Sequence, residues 1–237
     1  MESAGALIKP RHYGAVRLAI AKARFWGHRM FDRKRLNGIA LEYPCGLPVL
    51  VLPGVLNPCL MRTGEFFASQ LGPDLIADDA AVLDMGTGSG VCALFAAKRA
   101  RRVVAVDINP AAVRCARINV LVNQLEDKVE VLQGDLFAPL GGRRFDLVLF
   151  NPPFLHGVPR DDADRAWRST DVAERFAAGL REHLLPGGCG LILLSTYGEA
   201  GRFVGELQRR GFTIQVVRER DFVNETLTIL RLSQGQS

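Results

Sequence analysis

Residues 80–90 read AAVLDMGTGSG, and VCALFAAKRA follows over 91–100. An apolar run ends in an acid, Asp84, and gives way to three glycines in five residues, Gly86, Gly88 and Gly90. After them the apolar residues recur at helical spacing. The order strand, glycine turn, helix is the opening unit of a parallel sheet. In such sheets ligands sit at the carboxyl edge, where glycines let the backbone turn sharply and approach closely.

The same alternation continues to the end of the chain. RVVAVDI (102–108), VEVLQGD (129–135), FDLVLFNPP (145–153) and CGLILLST (189–196) read as further strands. PAAVRCARINVLVNQL (110–125), DVAERFAAGLREHL (171–184) and FVGELQRRGF (203–212) read as helices, with Pro110 suited to a first turn and LPGG (185–188) as a stop. TIQVVRER (213–220) and ETLTILRL (225–232) close the chain as a pair of strands. Upstream, IALEYPCGLPVLVLPGV (39–55) predicts a hairpin and TGEFFASQL (63–71) a capped helix. The Phe66–Phe67 pair reads as core. This assigns 41–237, with a hairpin over 38–56, to one α/β domain.

With 48% hydrophobic and 23% charged residues, the composition excludes a disordered or collagen-like chain. The longest apolar run, 47–56, is broken by Pro48 and Pro53, so no membrane span is expected. MESAGALIKP lacks the order of a signal peptide. Five cysteines without a C-x-x-C pair suit reduced thiols, so the expected location is the cytoplasm. No metal site is expected, because His12, His28 and His183 have no ligand-like spacing. The net charge of +5 is unevenly spread: residues 1–40 carry +7 and the remainder −2. Over 13–31, YGAVRLAIAKARFWGHRMF, the pattern predicts an amphipathic helix. This amino-terminal arm suits an acidic or nucleic-acid partner, or is a solvated face.

Three acids stand at or near successive strand ends: Asp84, Asp107 and Asp135. A carboxylate 17 residues beyond Gly90 can accept two hydrogen bonds from a ribose diol, and Asp135 could take an adenine amine. Any one of them alone reads equally well as a helix cap. Together they point to a nucleoside cofactor, with a dinucleotide dehydrogenase as the competing reading.

At these residues the sequence resembles the class I S-adenosylmethionine-dependent methyltransferases, through VLDMGTGSG (82–90), VVAVDINP (103–110) and VLQGDLF (131–137). The resemblance implies a Rossmann-like, seven-stranded sheet of order 3-2-1-4-5-7-6, its last strand antiparallel, with helices on both faces. It implies that Gly86, Thr87, Gly88 and Gly90 line the methionine and ribose portion. Asp107 would hold the ribose hydroxyls and Ile108 would pack on adenine. Asp135 would bind the adenine amine and the Leu136 amide its ring, while Asp84 would sit below the loop and help orient the methionine end.

Asn151-Pro152-Pro153-Phe154 ends the fourth strand beside that cofactor edge. The Asn151 side-chain oxygen and the Pro152 carbonyl can each accept an N–H of one –NH₂ group, turning its lone pair towards a methyl donor. The prolines hold the turn in advance, and Phe154 offers a flat apolar face for stacking. The motif resembles that of nitrogen-directed methyltransferases acting on glutamine amides, adenine N6 or guanine N2. Asn151 counts among the expected cofactor contacts as well as the catalytic ones, with Pro152 and Phe154.

The whole chain is most similar to the release-factor glutamine methyltransferase group. Thr63 matches that group's threonine near the methionine end. Arg62 stands where an acid is usual, Gly64 precedes Glu65, and only about 80 residues precede the glycine loop, too few for the group's large helical substrate domain. The overall resemblance implies a glutamine or other residue of a protein or peptide as the leading acceptor, and these departures count against it. An RNA base and a small amine compete with it, and a catalytically silent cofactor-binding scaffold is the non-enzyme reading. LHGVPRDDADRAWRST (155–170) predicts an amphipathic helix with acids at its start, and Arg160, Arg165, Arg168, Trp167 and His156 could reach substrate.

Overall fold

The computed structural model describes residues 38–161, 164–223 and 225–235, with Ile8, Ala15, Val16, Ala19 and Ala23 before them. Most of the helix expected over 13–31, like most of the basic arm, lies outside the described residues. A short hairpin comes first, β1 (Ala40–Glu42) antiparallel to β2 (Val49–Val51). Two helices follow, α1 (Pro58–Met61) and α2 (Thr63–Gln70). The core then alternates β3 (Ala81–Met85), α3 (Val91–Ala97), β4 (Arg102–Asp107), α4 (Pro110–Val122), β5 (Val129–Gln133) and β6 (Phe145–Phe150). Beyond β7 (Leu155–His156) and β8 (Arg168–Ser169) come α5 (Val172–Leu180), β9 (Leu184–Ser195), α6 (Ala200–Arg209), β10 (Phe212–Asp221) and β11 (Thr226–Gln234).

The main sheet has seven strands in the order β10-β11-β9-β6-β3-β4-β5. With β3 counted as the first core strand and the small β7–β8 pair left aside, this is the expected 3-2-1-4-5-7-6. β11 runs antiparallel to both of its neighbours. Successive residues of a strand face opposite sides, and the core divides accordingly. Val82, Leu147, Leu149 and Leu191 pack with Phe67, Leu94 and Ala116 beneath α2, α3 and α4. Leu83, Val148, Phe150 and Ile192 pack with Phe176, Leu180, Phe203 and Leu207 beneath α5 and α6. Every residue of β3 is buried, as a central parallel strand covered on both faces requires. Phe66 and Phe67 are core residues, as read from sequence. Among the described residues no helix is long and apolar enough to cross a membrane.

Two local readings are corrected. LPGG is not a stop outside the sheet but part of β9, while a 3₁₀ turn, Arg181–His183, ends α5. Phe145 pairs with Leu184 and Leu147 with Cys189, so the register shift between them absorbs Leu185–Gly188 as a bulge. A Cβ on Gly188 would lie 2.8 Å from the Phe145 carbonyl oxygen, which is why glycine stands there. The segment 155–170 is not a helix either. Leu155–His156 pairs in parallel with Arg168–Ser169, and among the described residues of the segment the only helical turn is the 3₁₀ turn Asp164–Ala166. Two of its acids fold back on the segment itself: Asp161 Oδ1 accepts from the Asp164 amide at 2.8 Å, and Asp164 Oδ2 accepts from the Arg160 amide at 3.0 Å.

Buried amide side chains attach the hairpin to the core. Asn119 of α4 is fully buried, and its Oδ1 accepts from the Leu50 amide at 2.7 Å. Its Nδ2 donates to the Leu50 carbonyl at 2.7 Å and to the Ser89 carbonyl at 2.8 Å. One side chain thus clips an edge strand and the glycine loop to the same helix. Asn57 caps α1 by accepting from the Cys59 and Leu60 amides and donates to Glu42 Oε1 at 2.8 Å. Replacing Asn119 with alanine leaves several buried backbone groups without partners, and we expect a loss of about 3 kcal/mol in chemical denaturation. Amide exchange should speed up first at residues 49–51 and 87–90.

Candidate active site

The carboxyl edge of the sheet carries a cleft, and its floor is the glycine loop. Gly86, Gly88 and Gly90 all have positive φ, at 65°, 57° and 87°. A Cβ at Gly90 would lie 3.3 Å from Ala116, so the start of α3 presses directly on α4. A Cβ at Gly88 would meet none of the described residues within 4 Å, so among them this turn faces open space. Asp84, buried under the loop, fixes the turn. Its Oδ2 accepts from Thr87 Oγ1 at 2.6 Å and from the Ala93 amide at 3.0 Å. Burial outweighs those bonds and pushes its pKa up to about 7.

Asp107 closes the next wall. Its Oδ2 accepts from the Gly88 amide at 2.8 Å and its Oδ1 from the Asn109 amide at 2.9 Å. Burial raises its pKa, and these backbone amides oppose the rise. The Ile108 amide acts on the carboxylate as well, which with about four lone-pair sites keeps capacity for a ligand hydroxyl beyond these bonds. Ile108 presents an apolar surface to the cleft beside it, and Gly134, Asp135 and Leu136 line the far end. Asp135 is not bare: Arg175 of α5 reaches across to its Oδ2 at 2.7 Å.

At the opposite end, Asn151 follows β6 on the cleft wall next to Thr63. Its Nδ2 donates to Thr63 Oγ1 at 3.4 Å, a long bond. Its Oδ1 is buried and has no hydrogen-bond partner among the described residues. A buried amide oxygen left unpaired carries a cost of about 1–3 kcal/mol, which a ligand N–H would relieve.

Every site residue expected from sequence except Gly90, Pro152 and Phe154 lines this one cleft, and Gly90 is instead packed against Ala116. Pro152 is buried away from it. Phe154 opens instead onto an adjoining recess with His156, Glu199 and Arg202, so a substrate ring stacked on Phe154 is not what this arrangement offers. The Phe154 carbonyl accepts from the Glu199 amide at 3.1 Å, which turns the chain after Pro153 towards α6. His156 lies in that recess, close to Arg202 and 3.9 Å from Glu199. Arg165 and Arg168 do reach the cleft, along with Thr170. Sequence reasoning passed over Asn57 and Asn109, which line the cleft and cap helices. Both precede a proline, and that repeated Asn-Pro was the available signal. Arg175 carried no signal, being one arginine on a helix face. Among the described residues no group of three His, Cys, Asp or Glu could hold a metal ion.

Comparison with known proteins agrees with this architecture. The profile of the family described as "Methyltransferase small domain" matches residues 60–203, and the chain belongs to that family. A release factor glutamine methyltransferase of Moorella thermoacetica is 35% identical over 232 residues, covering 86% of this chain and 78% of that protein. A ribosomal protein uL3 glutamine methyltransferase of Bradyrhizobium diazoefficiens is 37% identical over 172 residues, 63% of this chain and 53% of that one. The chain therefore spans only about half the length of the latter relative. Among solved structures, the Thermus thermophilus 16S rRNA N2 G1207 methyltransferase, in complex with AdoMet and guanosine, superposes with a TM-score of 0.63. It is 24% identical and is covered over 50% of its length, against 83% of this chain, so it speaks to the fold alone.

The raised pKa of Asp84 predicts a pH dependence. A group whose pKa rises on folding supports the fold fully below its unfolded value near 3.8, and that support fades as pH climbs through about 7. Asparagine at this position keeps an acceptor for Thr87 and does not titrate. Denaturation between pH 4 and pH 8 should show the wild type losing up to about 4 kcal/mol relative to Asp84→Asn.

Proposed function

We propose that the protein binds S-adenosylmethionine and transfers its methyl group to a planar nitrogen, the side-chain amide of a glutamine in a protein substrate. The observation that carries this reading is the unpartnered Oδ1 of Asn151, buried in the wall of the cleft. A glutamine –NH₂ donates to an acceptor so placed. That bond draws electron density onto the nitrogen and fixes its orientation, and alignment of this kind can contribute roughly 7–11 kcal/mol in well-aligned systems. Bound S-adenosylmethionine supplies an electrophilic methyl on sulfur, so the chain provides alignment and polarity and needs no strong base before transfer.

The donor set fits that cofactor. Gly86, Thr87, Gly88 and Gly90 would hold the methionine and ribose portion, with Thr63 and the buried Asp84 at the methionine end. Asp107 would receive the ribose hydroxyls with its remaining lone pairs, and Ile108 would cover the adenine. Asp135 and the Leu136 amide would meet the adenine edge. The glutamine methyltransferases among the relatives support the choice of acceptor. An RNA base amine offers the same –NH₂ geometry, and a relative named ribosomal RNA small subunit methyltransferase C is 36% identical over 107 residues.

Calorimetry with S-adenosylmethionine should show Asp107→Ala weakening binding at least tenfold while the protein stays folded. Unchanged affinity would overturn the cofactor assignment. Asn151→Ala should bind the cofactor within about threefold of wild type yet lose a hundredfold or more in turnover. The acceptor is read by transfer of tritiated methyl into cell extract, fractionated into protein, RNA and small molecules. Label at protein glutamine is the expected outcome, and label in RNA alone would replace the protein reading.

A further inference from the structure

We infer that Arg175 is a positioning residue for the cofactor's base: it holds Asp135 as the acceptor that selects adenine by its 6-amino group. This rests on the reading of Asp135 as the partner of the adenine amine. Arg175 sits in the first turns of α5, and its Nη2 lies 2.7 Å from Asp135 Oδ2 just beyond β5. Its Nη1 lies 3.7 Å from Asp171 Oδ1, at the end of the segment that carries Arg165, Arg168 and Thr170 along the cleft. All three members of this bridge line the cleft.

The pair is poorly suited to a purely structural role. The two side chains are 45% and 42% exposed, and ion pairs in such surroundings contribute little to stability. Its consequence for a ligand is larger. Free in solvent, Asp135 would turn among rotamers, and each ligand would bear the cost of ordering it. Tied through Oδ2 to a guanidinium, the carboxylate is held in one orientation, with Oδ1 available to an N–H donor. The adenine amine is such a donor. A purine with hydrogen in that position gives Oδ1 nothing to accept, and a site built around a hydrogen bond discriminates against a ligand that lacks it.

The arrangement separates two effects of removing Arg175. A loss of packing would weaken every purine ligand alike. A loss of positioning would weaken the ligand with the amine and spare the ligand without it. The ratio of the two affinities is therefore the readout, whatever happens to each alone.

The test is competition binding of S-adenosylhomocysteine and its analogue with hydrogen in place of the adenine amino group. It is run on wild type, Arg175→Ala, Arg175→Gln and Asp135→Ala, each checked for folding by circular dichroism. Wild type should prefer the amino compound about tenfold or more, and Asp135→Ala should prefer it threefold or less. Both Arg175 variants should fall to the ratio of Asp135→Ala. If they keep the wild-type ratio while Asp135→Ala loses it, the role given to Arg175 is wrong, even should both affinities drop. If wild type shows no preference, or Asp135→Ala retains it, the adenine reading of Asp135 fails first and the inference falls with it.

Discussion

A buried carboxylate under the glycine loop sets the geometry of this protein's working edge. Asp84 stands in the central strand with both faces of the sheet covered, where an ionised group is costly unless it is bonded. Its Oδ2 binds the Thr87 hydroxyl within the loop and the Ala93 amide in the first turn of α3. Strand, loop and helix are thereby locked to one another at a single atom. The neighbouring Asp107 completes the arrangement from β4 by taking the Gly88 amide. The loop cannot relax away from the sheet without breaking these bonds to Asp84 and Asp107.

That constraint passes outwards through hydrogen-bonded asparagines. Asn119 accepts the Leu50 amide and donates to the carbonyls of Leu50 and Ser89, so the hairpin and the back of the glycine loop depend on one residue of α4. Asn109 caps α4 and donates to the Gly54 carbonyl at 3.1 Å. The chain from 54 to 63 is carried in this way across the sheet edge, which sets Thr63 beside Asn151. The acceptor end of the cleft is thus assembled from two parts of the chain 88 residues apart. Neither part forms it alone.

On the other side of the sheet, Arg202 organises the approach to the cleft. Its guanidinium donates to Glu174 Oε1 at 2.8 Å and to the Thr170 carbonyl at 2.6 Å, joining α6, α5 and the segment between β7 and α5. Asp161 and Asp164 of that segment satisfy its own backbone, and its ends form a short strand pair beside the cleft. Phe154 is drawn into the same cluster and away from the cleft. The roles within the Asn-Pro-Pro-Phe motif therefore separate: Asn151 faces the cleft, while Phe154 anchors the wall behind it.

Much of the fold was legible from local pattern. Apolar runs bounded by turn residues mark buried parallel strands, and their alternation with amphipathic stretches leaves few ways to build a doubly wound sheet. The glycine loop, Asp107 and Asp135 were legible too, because a backbone needing positive φ and a strand-end carboxylate both show in single residues. The order of strands came from family resemblance, since periodicity carries no information about which strands are neighbours. What tertiary structure alone decided involves partners far apart in sequence. LPGG became a strand bulge because Leu184 pairs with Phe145, and Asn119 became the clasp of the hairpin because α4 passes beneath Leu50. Arg175 met Asp135 across 40 residues, and Phe154 turned towards Glu199. Local preferences act over a turn or a strand and can be read along the chain. Contacts made by packing depend on the assembled sheet, and only there do these side chains acquire their neighbours.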